Sequence, residues 1–261
     1  MKFHFDKYHG AGNDFIIFDN RHNIYNDISV SQLKKICDRH FGIGADGIIL
    51  IESHSNADFE MKYYNSDGKL SSLCGNGGRC AVSFALRHDI IKEKTVFMAA
   101  DGLHKAYKVH PNQIRLQMQD VFDLIENDNA IIINTGSPHY VKLIQNYKKV
   151  NINSQGGAIR FSKQFMPNGI NVNFIQKETP VRYKIRTYER GVENETLACG
   201  TGAVACAIGM HYMGESKGKC KIELQALGGL LIVDFDVIDK VYTNIYLQGP
   251  ADFVYSGIIE I

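Results

Sequence analysis

The chain has 261 residues, with 29 Lys and Arg against 28 Asp and Glu, so its formal net charge is +1 at pH 7. That balance argues against a bulk nucleic-acid binder and against an electrostatic membrane anchor, both of which carry a basic excess. Hydrophobic content of 44 % beside 22 % charged residues marks a globular chain. At this length about 70–75 % of the unfolded surface is buried on folding, enough for one large core or two smaller ones without a disulfide or a metal.

The opening segment alternates, with Phe3, Phe5 and Lys7 on one parity and His4, Asp6 and Tyr8 on the other, which predicts a strand. His9-Gly10-Ala11-Gly12-Asn13-Asp14 breaks it before a second strand, Phe15 to Phe18. Leu33, Ile36 and Cys37 predict a short helix over Ser31 to Arg39, with Ser31 as its cap. Gly42 to Gly47 reads as a loop, Ile48 to Ile51 as a buried strand, and Phe59 to Tyr64 as a strand closed by the turn Asn65-Ser66-Asp67-Gly68. Cys74-Gly75-Asn76-Gly77-Gly78-Arg79-Cys80 reads as a glycine-rich loop entering a buried helix, Ala81 to Arg87. Strands return from Thr95 to Met118, and Ile131 to Asn134 leads into Thr135-Gly136-Ser137-Pro138-His139. Further strands are predicted at Ile170 to Gln176 and Val181 to Tyr188. Cys199-Gly200-Thr201-Gly202 then opens a second small-residue helix, Ala203 to Met213, and Cys220 to Leu247 alternates as strands around Gly228-Gly229.

The segment MKFHFDKYHGAGND turns charged and polar too early for a signal peptide, and the stretch from Leu197 to Glu215 is too polar to span a membrane. A cytoplasmic chain with no membrane partner is expected, and its six cysteines should be reduced thiols. No Cys-x-x-Cys or His-Glu-x-x-His spacing suggests a metal. The Gly42 to Gly47 run lacks the spacing of a dinucleotide site.

The informative feature is an internal echo. Cys74-Gly75-Asn76-Gly77 and Cys199-Gly200-Thr201-Gly202 share Cys-Gly-x-Gly at a strand-to-helix turn, and a polar residue precedes each cysteine at the same spacing, Asn65 and Arg190. Two copies of one α+β unit fit the length, with acidic, aperiodic Asp120 to Asn129 as the junction. A cysteine before a helix N-terminus meets unpaired N–H groups and the positive end of the dipole, which stabilise a thiolate. The same amides hold a carboxylate. If the two halves face each other across a cleft, two such turns address one ligand, an arrangement suited to removing an α-proton from one face and returning one to the other. Cys37, Cys80, Cys206 and Cys220 read instead as small packed hydrophobes. Taken singly, His139 is a packed loop residue, Glu189-Arg190 an exposed ion pair and Asn13 a turn support.

Along nearly its whole length the sequence resembles the diaminopimelate epimerase family of cofactor-independent amino-acid epimerases. The resemblance lies in Lys7 to Phe15, Gly42 to Gly47, Tyr64 to Gly68, Cys74 to Cys80, Gly136 to Val141, Asn171 to Phe174, Tyr188 to Gly191 and Cys199 to Ala203. It implies an α+β fold of two pseudo-symmetric domains, each with strands wrapped around a central helix and the active site in the cleft between them. The first would comprise residues 1–120 with 250–261, the second 121–249. The resemblance implies Cys74 and Cys199 as the acid/base pair, one a thiol and the other a thiolate. The reacting carboxylate would rest on the amides of Gly75, Asn76, Gly200 and Thr201. Asn13, Asn65, Asn171 and Arg190 would bind the substrate, Arg190 taking the distal carboxylate as a fork; Glu189 would meet an ammonium, and His139 would support the thiols. It implies no cofactor, no pyridoxal phosphate and no metal. The partner would be a small diamino diacid, not nucleic acid, and a homodimer is compatible with the reading.

Three departures touch the supporting residues. Gly47 stands where many family members carry Gln, Ser137 where Asn is usual, and the block Val192 to Thr196 is one residue longer than the common form. They leave open a racemase of another amino acid, such as histidine. From a different class, a ligand-binding protein or thiol redox sensor on this scaffold would bind without exchanging an α-proton.

Overall fold

The computed structural model describes residues 2–71, 73–127 and 129–260. The chain divides into two compact units, Met1–Leu116 with Gly249–Ile261, and Gln117–Gln248. Each is a strand-rich α+β unit around one long buried helix, so the fold is two pseudo-symmetric α+β domains.

In the first unit, Lys2–Gly10 turns into Asn13–Asp19 through Ala11 and Gly12, both at positive φ (53° and 85°), the geometry of a tight two-residue hairpin. Helix α1 (Val30–Cys37) follows, then Gly47–Glu52, parallel to Asn13–Asp19, then antiparallel Phe59–Asn65 and short Leu70–Ser71. Helix α2 (Gly75–Arg87) leads to Lys94–Ala99, Gly102–His110 and Gln113–Gln117. The strand Asp252–Glu260 pairs antiparallel with Lys2–Gly10.

The second unit repeats this plan. Leu124–Asn127 pairs with Ala130–Asn134, which turns into Pro138–Leu143. Helix α3 (Ile152–Arg160) precedes Asn171–Thr179, parallel to Pro138–Leu143, then Arg182–Glu189 and short Asn194–Thr196. Helix α4 (Gly200–Tyr212) leads to Lys221–Ala226, Gly229–Ile238 and Val241–Pro250. Pairings agree as well: Lys94–Ala99 after α2 runs parallel to Phe59–Asn65, and Lys221–Ala226 after α4 runs parallel to Arg182–Glu189.

Both faces of the first unit's sheet are covered, which explains its continuous apolar runs. Ile16, Phe18, Ile48 and Leu50 join Leu33 and Ile36 of α1 in one cluster. The opposite parity faces α2, where Phe15, Ile49 and Met61 close over Gly77. In the second unit Ile152 of α3 packs with Val172, Phe174 and Tyr188, while Val141 and Ile131 lie against Gly209 of α4. Nearly every residue of α4 from Gly200 to Met210 is buried, so this helix is apolar on all sides.

Four expectations are corrected. Helix α1 starts one residue earlier, and its cap is Ser29, not Ser31: Ser29 and Gln32 form a reciprocal capping box. Gly75 to Gly78 are the first turn of α2 rather than a loop, and likewise Gly200 to Gly202 open α4, because buried small residues let the surrounding strands approach the helix. The stretch Asp120 to Asn129 contains the strand Leu124–Asn127, which backbone pairing at a sheet edge supports without apolar alternation; Asp128 lies outside the described residues. Helix α3, with Asn151 as cap, replaces what had no predicted element.

Candidate active site

Two cysteines cap the two long helices. Cys74 precedes α2 in an extended conformation (φ −96°, ψ 121°), and Cys199 precedes α4 in nearly the same one (φ −119°, ψ 116°). Their carbonyls accept the first helical bonds, from Gly78 N–H at 2.7 Å and from Ala203 N–H at 2.9 Å. Neither thiol makes a capping hydrogen bond to its own helix, whose first turn is Gly75 and Asn76 in one unit and Gly200 and Thr201 in the other. Such amides and the helix dipole favour a thiolate or a carboxylate there.

In the first unit the hairpin places Asn13 beside Cys74, whose Sγ donates to Asn13 Oδ1 at 3.6 Å. The same oxygen accepts from Asn76 Nδ2 at 3.1 Å, and Asn13 Nδ2 donates to Asp46 Oδ2 at 2.7 Å. Arg39 bridges Asp14 and Asp46. Burial works against a charged Asp14, but the bonds from Arg39 and Lys7 outweigh it and hold the carboxyl down to about 2. Beneath the first turn of α2, the wholly buried Arg79 donates to the Gly75 carbonyl at 3.0 Å, to Asn76 Oδ1 at 2.8 Å and to the Pro250 carbonyl at 3.3 Å. Burial pulls its pKa down. Asn65 ends its strand at the exposed turn, paired in register with Gly47.

In the second unit, Cys199 Sγ lies 3.5 Å from Thr201 Oγ1, which lies 2.9 Å from His139 Nε2. The other ring nitrogen of His139 accepts from Asn173 Nδ2 at 3.1 Å, and Asn173 Oδ1 accepts from Thr187 at 2.9 Å. A Cβ at Gly202 would come within 2.5 Å of Asn173 Oδ1 and 3.3 Å of Cys199 Sγ, so only glycine lets the helix turn pass these groups. A second cluster gathers at the ends of the neighbouring strands. Asn171 Nδ2 donates to Ser137 Oγ at 2.9 Å, Asn171 Oδ1 accepts the Arg190 amide at 2.9 Å, and the Arg190 guanidinium reaches Ser137 Oγ at 3.4 Å and the Asn168 carbonyl at 3.1 Å. Glu189 accepts from Thr196 at 2.8 Å.

Many of the residues singled out in the sequence thus cluster within their unit: Asn13, Asn76 and Cys74 in the first; His139, Thr201 and Cys199 in one group and Ser137, Asn171 and Arg190 in another in the second; Asn65 pairs instead with Gly47, and Glu189 accepts from Thr196. All six cysteines are thiols rather than disulfides. Outside the echo, burial pushes the Cys37 thiol up to about 12 and raises Cys80, Cys206 and Cys220 as well. Gly47 has a steric reason, since a Cβ there would meet the Tyr63 ring at 2.5 Å and the Tyr64 carbonyl at 2.6 Å. Three partners went unassigned in the sequence. Asn173 lies two residues from Asn171, on the same strand face, and Arg79 lies three from Asn76, on the same helix face; both periods were readable. Asp46 had no such signal, because the loop alone brings it to Asn13.

Solved structures with the same fold include a phenazine biosynthesis protein of the PhzF family from Bacillus anthracis, with TM-score 0.77, 14 % identity and 100 % of both chains covered. A hydroxyproline epimerase from Agrobacterium vitis follows the fold with TM-score 0.73 and 14 % identity, covering 99 % of this chain and 92 % of that one. They define the class as the two-unit α+β fold shared by these proteins. The family model for diaminopimelate epimerase matches residues 5–121 and 131–254. A diaminopimelate epimerase of Flavobacterium psychrophilum is 47 % identical over 253 residues, 97 % of this chain and 98 % of the relative. The chain belongs to the diaminopimelate epimerase family.

Proposed function

We propose that this chain is an isomerase that interconverts LL-2,6-diaminopimelate and meso-diaminopimelate without a cofactor. The observation that carries the reading is the repeated cysteine at the N-terminus of the central helix of each unit, in a chain of this family. One cysteine acts as thiolate and takes the α-proton: the C–H electron pair stays on carbon and a new S–H bond forms. The other, a thiol, delivers its proton to the opposite face of that carbon and becomes the thiolate. In the reverse direction the roles exchange. Such positioned acid–base chemistry contributes about 10²–10⁴-fold. The first-turn amides of Gly75, Asn76, Gly200 and Thr201 receive the reacting carboxylate and stabilise the charge that develops as the proton leaves. Arg190 takes the distal carboxylate and Glu189 the distal ammonium, with Asn13, Asn65 and Asn171 orienting the chain of the substrate. Fixing the far end positions the reacting carbon. Ser137 and His139 support this shell, Ser137 through Asn171 and Arg190, His139 through Thr201. The chemistry requires reduced thiols, which suits a cytoplasmic setting. The product is a precursor for lysine and peptidoglycan.

The test is proton NMR of meso-diaminopimelate with the reduced protein in D₂O. The reading expects loss of the α-proton signal and appearance of the LL isomer. Absence of exchange with folded, reduced protein contradicts it, and a panel of other amino acids then decides between a different racemase and a binding protein.

A further inference from the structure

The two thiols meet hydrogen-bonding groups of opposite polarity. Asn13 presents its oxygen to Cys74, and the direction of that amide is determined by its partners. Its Nδ2 faces the Asp46 carboxylate, which only accepts, and its Oδ1 faces Asn76 Nδ2, whose own oxygen is held by the Arg79 guanidinium, which only donates. An amide oxygen beside Cys74 welcomes an S–H donor and opposes a thiolate. In the second unit, Asn173 Nδ2 also faces the Tyr140 carbonyl at 3.3 Å and so must donate to His139 Nδ1. Burial, helped by the positive charge of Arg190, holds the His139 imidazole down to about 3, so near pH 7 it is neutral and carries one ring proton. That proton is then on Nε2 and is donated to Thr201 Oγ1. The Thr201 hydroxyl proton is left to face Cys199 Sγ, where it stabilises a thiolate. The Arg79 guanidinium acts on Cys74 electrostatically and Arg190 acts on His139, but the Arg79 N–H groups are committed to the Gly75 and Pro250 carbonyls and to Asn76 Oδ1, so its hydrogen bonds reach Cys74 only through Asn76 and Asn13.

We infer that in the free protein the shared proton resides on Cys74 and the negative charge on Cys199, because Asp46 turns the Asn13 oxygen toward Cys74 while Asn173 and His139 turn the Thr201 hydroxyl proton toward Cys199. This rests on the two-thiol reading above and deepens it: the free protein is poised to accept an α-proton at Cys199. Asp46, Asn173 and the Thr201 hydroxyl are positioning groups for this polarity.

The experiment is competitive alkylation of the reduced protein at pH 7 with substoichiometric iodoacetamide, read by peptide mass mapping of Cys74 and Cys199. Access alone favours Cys74, which is half-buried, over Cys199, which is 7 % exposed. The expected result is nevertheless faster labelling of Cys199, by about tenfold, the factor one hydrogen bond to a charged group is worth. Thr201→Val should collapse that preference and Thr201→Ser should retain it. Asp46→Asn, at an exposed site, frees Asn13 to turn its NH₂ toward Cys74 and should narrow the ratio by raising Cys74 labelling. Faster or equal labelling of Cys74 in the unmodified protein overturns the inference, as does an unchanged ratio in both Thr201→Val and Asp46→Asn. The readout is independent of turnover: Cys199-first labelling in a protein that epimerises nothing sinks the proposed function alone, and Cys74-first labelling in an active epimerase sinks this inference alone.

Discussion

The half that carries Cys74 and the half that carries Cys199 share their elements, their order and their strand pairings, yet they stabilise their helix N-termini by different means. Around Cys74 the network is ionic: Asp46, Arg39 and Asp14 hold the hairpin, and buried Arg79 holds the first turn of α2. Around Cys199 it is a neutral chain of Thr187, Asn173, His139 and Thr201. At the spacing of Arg79 from Cys74, α4 carries Val204. A duplicated backbone thus fixes where two sulfurs sit relative to their helices, while the side chains around each decide which way its hydrogen bonds point.

The comparison breaks most visibly at the sulfurs themselves. Cys74→Ala and Cys199→Ala are each expected to lower kcat/KM for epimerisation by about 10²–10⁴-fold. Cys80→Ala and Cys206→Ala, which remove buried packing thiols, should stay within a few-fold; steady-state assays of the four variants decide.

Acid should separate the halves next. His139 is held at about 3, below its ordinary value of about 6.5. The unfolded chain therefore binds a proton as pH falls through 6.5 while the folded one does not. The stability it contributes is complete above that pH and declines by about 1.4 kcal/mol per unit down to about 3. Asp14 is held at about 2, so its contribution, about 2 kcal/mol, is intact above its ordinary value of 3.8 and fades only between there and 2. Hydrogen exchange at pH 5 should show α4 and Asn171–Thr179 loosening relative to pH 7, with Asn13–Asp19 and α2 unchanged. Loosening of the first half alone would contradict this ordering.

Gly47→Ala should destabilise the first unit by about 1–3 kcal/mol, because the new methyl meets a backbone carbonyl as well as a ring. A thermal melt at or above that of the parent protein would show that Tyr63 and its strand yield freely. Smallest are the caps of the two short helices: Ser29→Ala in the first half and Asn151→Ala in the second should each cost about 1 kcal/mol by denaturant titration.

Much of this was legible in the sequence because the signals were local or repeated. Runs such as Ile48 to Ile51 marked buried strands, and the two Cys-Gly-x-Gly motifs marked the helix starts and the duplication. Helix α3 was not legible, since Gly156 and Gly157 weaken its helical pattern and its stability comes from packing against Tyr188. The start of α2 departs from the sequence expectation because four residues rich in glycine signal a loop until burial outweighs propensity. Candidate site residues were legible where motifs held them; Asp46 was not, because its role depends on a loop meeting a hairpin far away in sequence.

The most direct test of the division of labour is α-proton exchange in D₂O by Cys74→Ala and Cys199→Ala, each with LL- and with meso-diaminopimelate. A single remaining thiol can remove an α-proton and return a deuteron to the same face. Each variant should therefore exchange one configuration without inverting it, and the two variants should choose opposite configurations. Inversion by either variant, or the same configuration exchanged by both, would contradict the assignment of one acid–base thiol to each half.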